Sequence, residues 1–222
     1  MVTGEFQRAR RPEQREARRQ AILDAAAEML AESKVNDISL RELSKRVGLA
    51  KSNVLRYFET REEVFLELLD RAAREWIADL DVRLAGVSDP DDVAAVIAES
   101  LAERPLLCEL VSVTTSVLER NISTGVALRF KQRTADLDVT LARTIRDRIP
   151  GLSEEGALHF VAASIVIVAG LWPFANPTEP VQAAIAELGL EVPHLAFSDM
   201  LRETLAVHLT GVLAREQTRA AE

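Results

Sequence analysis

Apolar positions recur at helical spacing along this chain, and long strand-like alternations are absent. Ile22, Ala25, Ala26, Met29 and Leu30 form one stripe, predicting a helix from about Glu13 to Glu32. Ser39-Leu40-Arg41-Glu42 reads as a capping box: the serine hydroxyl takes an amide proton of the first turn and the glutamate reaches back. Leu40, Leu43 and Val47 make the buried face of the second helix, and Gly48 stops it. A third helix is predicted over about Lys51 to Phe58, with Val54 and Phe58 turned inward. Thr60-Arg61-Glu62-Glu63 is a second capping box. It opens a long fourth helix with Val64, Leu68 and Ala72 on one stripe and Phe65, Leu69 and Trp76 on the next.

Beyond about Leu84 the punctuation is by proline and glycine. Asp89-Pro90 reads as an N-cap with proline at the first helical position, predicting a helix to Glu103. Arg104-Pro105 marks a boundary, and helices follow over about Leu106 to Asn121 and Ser123 to Ile149. Ser153 caps an apolar helix to about Trp172, with Pro173 and Pro177 breaking its far end. A short helix near Val181 to Leu188 and an amphipathic one from Ser198 to Glu216, with Leu201, Leu205, Leu209 and Val212 on one face, complete the pattern.

Composition agrees with an all-α chain: 48% hydrophobic, 5% aromatic, 222 residues. The net charge of -8 is uneven, with 12 Lys and Arg against 9 Asp and Glu from Met1 to Thr60, and acidic residues in excess thereafter. A basic end on an acidic body suggests nucleic-acid contact at that end. The single cysteine, Cys108, excludes an intrachain disulfide and fits a reducing cytoplasm. No secretory signal is visible at the N-terminus. Gly156 to Thr178 carries no formal charge and has the length of a membrane span. Its acidic upstream flank and its prolines instead predict a buried helix, with no membrane partner.

Residues Arg19 to Leu69 resemble the N-terminal DNA-binding domain of TetR-type transcriptional regulators. The resemblance is carried by Ile22, Ala25 and Ala26, by Leu43, Val47 and Gly48 at the turn, by Lys51 through Phe58, and by Arg61, Glu62 and Glu63. It implies an N-terminal three-helix helix-turn-helix domain joined to a C-terminal helical dimerisation and ligand-binding domain. It further implies a homodimer on palindromic double-stranded DNA, a small-molecule effector that moves the fourth helix, and repression. The expected division is a flexible basic arm at 1–14, the helix-turn-helix domain at 15–60 and the helical body at 61–222.

Within that motif, Lys51, Ser52 and Asn53 sit at the end of the third helix that meets base edges. Asn53 suits an adenine edge and Lys51 a phosphate. Arg56 is placed for guanine or backbone, Tyr57 for a phosphate, and Arg41 for either; Thr60 and Arg61 lie at a helix N-terminus, a phosphate position. Two residues depart from the family. Ala50 stands where a capping Ser or Thr is frequent, and Leu55 where a tyrosine is. Leu55 either meets a thymine methyl or packs. Arg8, Arg10 and Arg11 are either a minor-groove arm or a solvated tail. Arg15, Arg18 and Arg19 lie near the expected start of the first helix, where the dipole disfavours cations and a partner anion compensates.

In the body, the apolar helix and the last helix are the expected dimer elements. Trp76, Thr114, Phe130, His159 and Trp172 are candidate pocket residues for an apolar effector, against plain core packing. With three histidines and no GxSxG, HExxH or CxxC pattern, the chain is not read as an enzyme, and no cofactor or metal is expected. The alternative is a helical protein-interaction module without specific DNA binding.

Overall fold

The computed structural model describes the backbone of residues 3–189 and 196–221, and side chains from residue 12 to 219 within those limits. Ten α-helices are described: α1 Thr3–Glu32, α2 Leu40–Arg46, α3 Lys51–Val54, α4 Arg61–Arg83, α5 Pro90–Ala102, α6 Pro105–Val113, α7 Thr124–Arg146, α8 Glu154–Ala175, α9 Glu179–Glu187 and α10 Phe197–Ala221. Short 3-10 turns occupy Val35–Asp37 and Leu118–Asn121. No strand occurs among the described residues, and the all-α expectation holds.

The chain forms two compact units. The first takes residues 1–70 and 114–130, the second 71–113 and 131–222, so the division falls inside α4 and inside α7. In the first unit, Ile22 and Ala26 of α1, Leu43 of α2, Val54 of α3, Phe58, and Val64, Phe65 and Leu68 of α4 are almost fully buried. Leu118, Val126 and Phe130 join this unit's core. In the second unit, α10 packs along α5 and α8, and α6 along α8. Leu201, Leu205 and Leu209 are fully buried there.

Several elements differ from the sequence reading. The segment expected as a flexible arm at 1–14 is helical from Thr3, so α1 starts about ten residues early and includes Pro12. Arg15, Arg18 and Arg19 therefore lie mid-helix, beyond the first turn where the dipole acts. The side chains of Arg8, Arg10 and Arg11 lie outside the described residues. The third helix keeps α-geometry only to Val54 and continues as turns to Tyr57. The helix expected to Asn121 ends at Val113, where the β-branched and hydroxyl run Val113-Thr114-Thr115-Ser116-Val117 weakens helix propensity. Conversely α8 continues past Pro173 to Ala175, because a proline in the final turn forfeits only one backbone bond.

The burial expected for α8 is also corrected. Only 22% of its most apolar 18-residue window is buried, and Leu158, Ile165 and Val166 stand exposed. By length and composition alone this helix is apolar enough to cross a membrane.

Candidate nucleic-acid interface

The turn geometry is local and legible. Ser39 accepts the Glu42 amide at 3.2 Å while Glu42 accepts the Ser39 amide at 2.8 Å, a complete capping box for α2. Donation from the Ser39 amide, and from its hydroxyl at 2.7 Å, holds the Glu42 carboxyl below its ordinary range. Gly48 adopts φ +66° and ends the helix, and Leu49 N–H returns to Ser44 C=O at 2.9 Å. Ser44 is itself buried and donates to the Arg41 carbonyl at 2.8 Å. The chain then enters α3 through Ala50, whose backbone has N-cap angles (φ -65°, ψ 143°) but which has no side-chain cap.

On α3 and its continuation, Val54 and Phe58 are buried, whereas Lys51, Ser52, Asn53 and Arg56 are exposed and Tyr57 is half-buried. Leu55 is 44% exposed and so does not pack into the core. The candidate base-reading side chains thus share the outward face of an element anchored by Val54 and Phe58, in the unit whose core holds Leu43. Arg41, Lys51 and Arg56 have no ion-pair partner among the described residues, unlike the cations that hold the unit together.

Three of those structural cations are arginines. Arg19 donates to the Tyr57 carbonyl at 3.1 Å, pairs with Glu67, and lies 4.6 Å from the centre of the Phe58 ring. It ties α1 to the end of the recognition segment and to α4, and no spacing in the sequence announces it. Arg61 donates from Nε to Glu62 at 2.9 Å and from Nη1 to the Ile38 carbonyl at 2.7 Å. The Val35 and Asn36 carbonyls lie at 3.4 Å from the same nitrogen. Arg129 of α7 donates to buried Glu63 at 2.9 Å, while Ser123 donates to Glu59 at 2.7 Å. These last contacts anchor the 114–130 segment within the first unit.

Thr60 is the cap of α4, accepting the Glu63 amide at 3.2 Å. The return half of the box is displaced by one residue: Glu63 accepts the Glu59 amide rather than that of Thr60. Arg61, read as a phosphate position, faces loop carbonyls in this arrangement.

An open groove of about 1180 Å³ runs beside the recognition segment, lined by Gln14, Arg15, Ala17, Arg18, Ala21, Arg56 and Tyr57. In the sequence, Arg15 and Arg18 carry only the helix-dipole signal. The structure sets them beside Arg56.

The candidate pocket residues are not gathered around one cavity. Trp76 is buried and donates to Ser100 Oγ at 2.9 Å. Trp172 donates to Glu109 at 3.0 Å and meets the Phe197 ring edge-on at 5.1 Å. Thr114 and Phe130 belong to the first unit. His159 lines a groove of about 610 Å³ between α8 and α10, which none of the other four lines. Its ring centre is 5.3 Å from that of His208, whose own ring stacks on Phe160. Burial, then the charge of His159, lowers the His208 pKa.

Comparison with known families decides the affiliation. Residues 22–68 match the model described as bacterial regulatory proteins, tetR family. Residues 70–216 match that of the tetracyclin repressor-like C-terminal domain. The chain belongs to the TetR family. Among solved structures, a TetR transcriptional regulator from Rhodococcus sp. RHA1 shares the TetR fold at TM-score 0.54 and 15% identity, over 89% of this chain and 96% of that one. The regulator FadR from Bacillus subtilis, solved with stearoyl-CoA, does so at TM-score 0.52 and 15% identity, over 84% and 97%. An uncharacterized HTH-type transcriptional regulator of Haemophilus influenzae is 38% identical over 60 residues, 27% of this TetR-family chain. That match spans only 29% of the curated relative's length.

Proposed function

We propose that this TetR-family protein is a homodimeric, sequence-specific DNA-binding regulator in the cytoplasm, a repressor released from a palindromic operator by a small-molecule effector. The observation that carries the reading is the outward face of Lys51, Ser52, Asn53, Leu55 and Arg56 on a turn whose other side is buried. Leu55, exposed beside Asn53, suits a thymine methyl. Arg41 and Tyr57 flank the face as backbone contacts, and Thr60 acts as a cap. Arg61 serves this site as a strut rather than as a contact.

Selection of bound duplexes from a random pool tests the reading: a palindrome with two half-sites is expected, and recovery of no preferred sequence refutes it. With the selected duplex, Lys51→Ala weakens binding to all sequences alike. Asn53→Ala relaxes preference at one base position by about 1–3 kcal/mol if it makes a bidentate pair.

The exposed apolar surface of α8, with Val207 of α10, supports dimerisation through these two helices. An exposed apolar helix of this length in water calls for a covering surface, and two-fold DNA half-sites match a two-fold protein. Light scattering after size exclusion checks this; a monomer at micromolar concentration refutes it. The effector is read as uncharged or lipophilic. Stearoyl-CoA, present in the FadR structure, supplies a lipophilic acyl chain and is the first compound to add to the complex with the selected duplex, with release followed by gel mobility shift.

A further inference from the structure

Residues 12–18 of α1 are exposed on every side, and burial begins only at Ile22. From Arg8 to Arg19 the sequence holds six arginines against two glutamates, Glu13 and Glu16. Arg19 is taken up by Tyr57 and Glu67. Arg15 and Arg18 have no ion-pair partner among the described residues, and with Arg56 they line the groove beside the recognition segment. Glu13 and Glu16 do not line it. Three guanidinium groups therefore share one open groove without a counter-charge among the described residues that line it, next to a tyrosine ring.

We propose that this groove, with the exposed residues 12–18 of α1, holds the phosphodiester backbone of duplex DNA flanking the half-site read by α3. The inference rests on the DNA-binding reading above and extends it beyond the helix-turn-helix. A guanidinium matches a phosphate through paired N–H donors, and a polyanion removes the mutual repulsion of the three cations. A polar helical stretch with no buried face is marginal in water by itself and gains from a partner along its length. The exposed residues 12–18 span about 10 Å of helix at a 1.5 Å rise per residue. That matches the span of about three nucleotides along one strand. Backbone contacts carry no base information, so the extension adds affinity and salt dependence without changing the preferred sequence.

The test uses the full chain, the double variant Arg15→Ala/Arg18→Ala, and duplexes that the wild type selects from a random pool. Each duplex is made in two lengths, one ending at the palindrome and one extended on both sides. The wild type is expected to bind the extended duplex more tightly and with steeper salt dependence. In the variant the two lengths bind alike, and the slope of log K against log salt falls by about 0.9 for each phosphate that is no longer neutralised. Both residues are exposed, so an unchanged melting temperature is expected. A variant that matches the wild type on the extended duplex at every salt concentration overturns this inference alone. A wild type that selects no sequence overturns the DNA-binding reading beneath it.

Discussion

Replacing Arg61 with alanine strips Glu62 of its ion-pair partner and the Val35–Ile38 loop of its donor. The Glu62 side chain is only 8% exposed, and it pairs with Arg61 Nε at 2.9 Å. Breaking a buried ion pair by removing one member costs about 3–5 kcal/mol. A hydrogen bond from a charged donor, here to the Ile38 carbonyl at 2.7 Å, contributes about 1.5–3 kcal/mol. The two losses share one residue and do not add. The Arg61 side chain is 26% exposed, so water recovers part of the loss, and a net cost of about 3 kcal/mol is expected. For a chain of this size that lowers the melting temperature by roughly 6–12 °C. Changing Glu62 to glutamine in the same chain removes the stranded charge and restores about 1–2 kcal/mol. The assays are thermal unfolding followed by circular dichroism, and titration of the selected duplex at several salt concentrations. Per folded molecule, affinity and salt slope should stay near wild type. An Arg61→Ala protein that melts within about 1 °C of wild type while its salt slope drops by about 0.9 per site refutes the strut and makes Arg61 a phosphate ligand.

The remaining predictions concern single sites. Ala50→Ser supplies the missing cap of α3 at an exposed position with N-cap angles, so stability should rise by about 1 kcal/mol with unchanged base preference; an unchanged or lower melting temperature counts against it. Cys108 is buried, and burial pushes its thiol pKa up to about 12. The unfolded thiol ionises first, so the stability contribution is intact below about pH 9 and is lost as pH rises toward the folded value, by about 1.4 kcal/mol per pH unit. Aromatic disulfide reagents should label Cys108 at neutral pH only on unfolding; rapid labelling of the folded protein refutes this. His208 has its pKa lowered by burial and by His159, so its contribution is complete above the unfolded value of about 6.5 and falls as pH drops below it. Between pH 7 and pH 5.5 the protein should lose stability, and His208→Asn should flatten that profile, measured by denaturant titration at each pH.

Local chemistry is readable because it involves near neighbours. Ser39 and Glu42 are three residues apart, and Gly48 needs only its own backbone to stop α2. Arg61 shows the opposite case: its spacing from Thr60 is the same whether its guanidinium meets phosphate or a loop carbonyl. Its partner Ile38 lies 23 residues away, and Glu63 meets Arg129 across 66. The partners of the pocket candidates are distant for a related reason: Trp76 bonds to Ser100 and Trp172 to Glu109, which lie 24 and 63 residues away. The start of α1 is misplaced by the sequence because Pro12 and Gly4 read as loop punctuation, while α-geometry runs from Thr3.

By itself the sequence determined an all-helical chain with a capped turn, a polar outward face around Asn53 and a basic end, because periodicity, caps and charge act over a few residues. Tertiary structure alone decided which cations are spoken for and which remain open. Arg19, Arg61 and Arg129 are drawn into ion pairs by partners 48, 1 and 66 residues distant, while Arg15, Arg18 and Arg56 come together in one groove. It also decided that α8, apolar enough to be read as core, is left largely uncovered by its own chain. Burial and pairing depend on how helices far apart in sequence meet, and that approach is written in the whole fold rather than in any one stretch of residues.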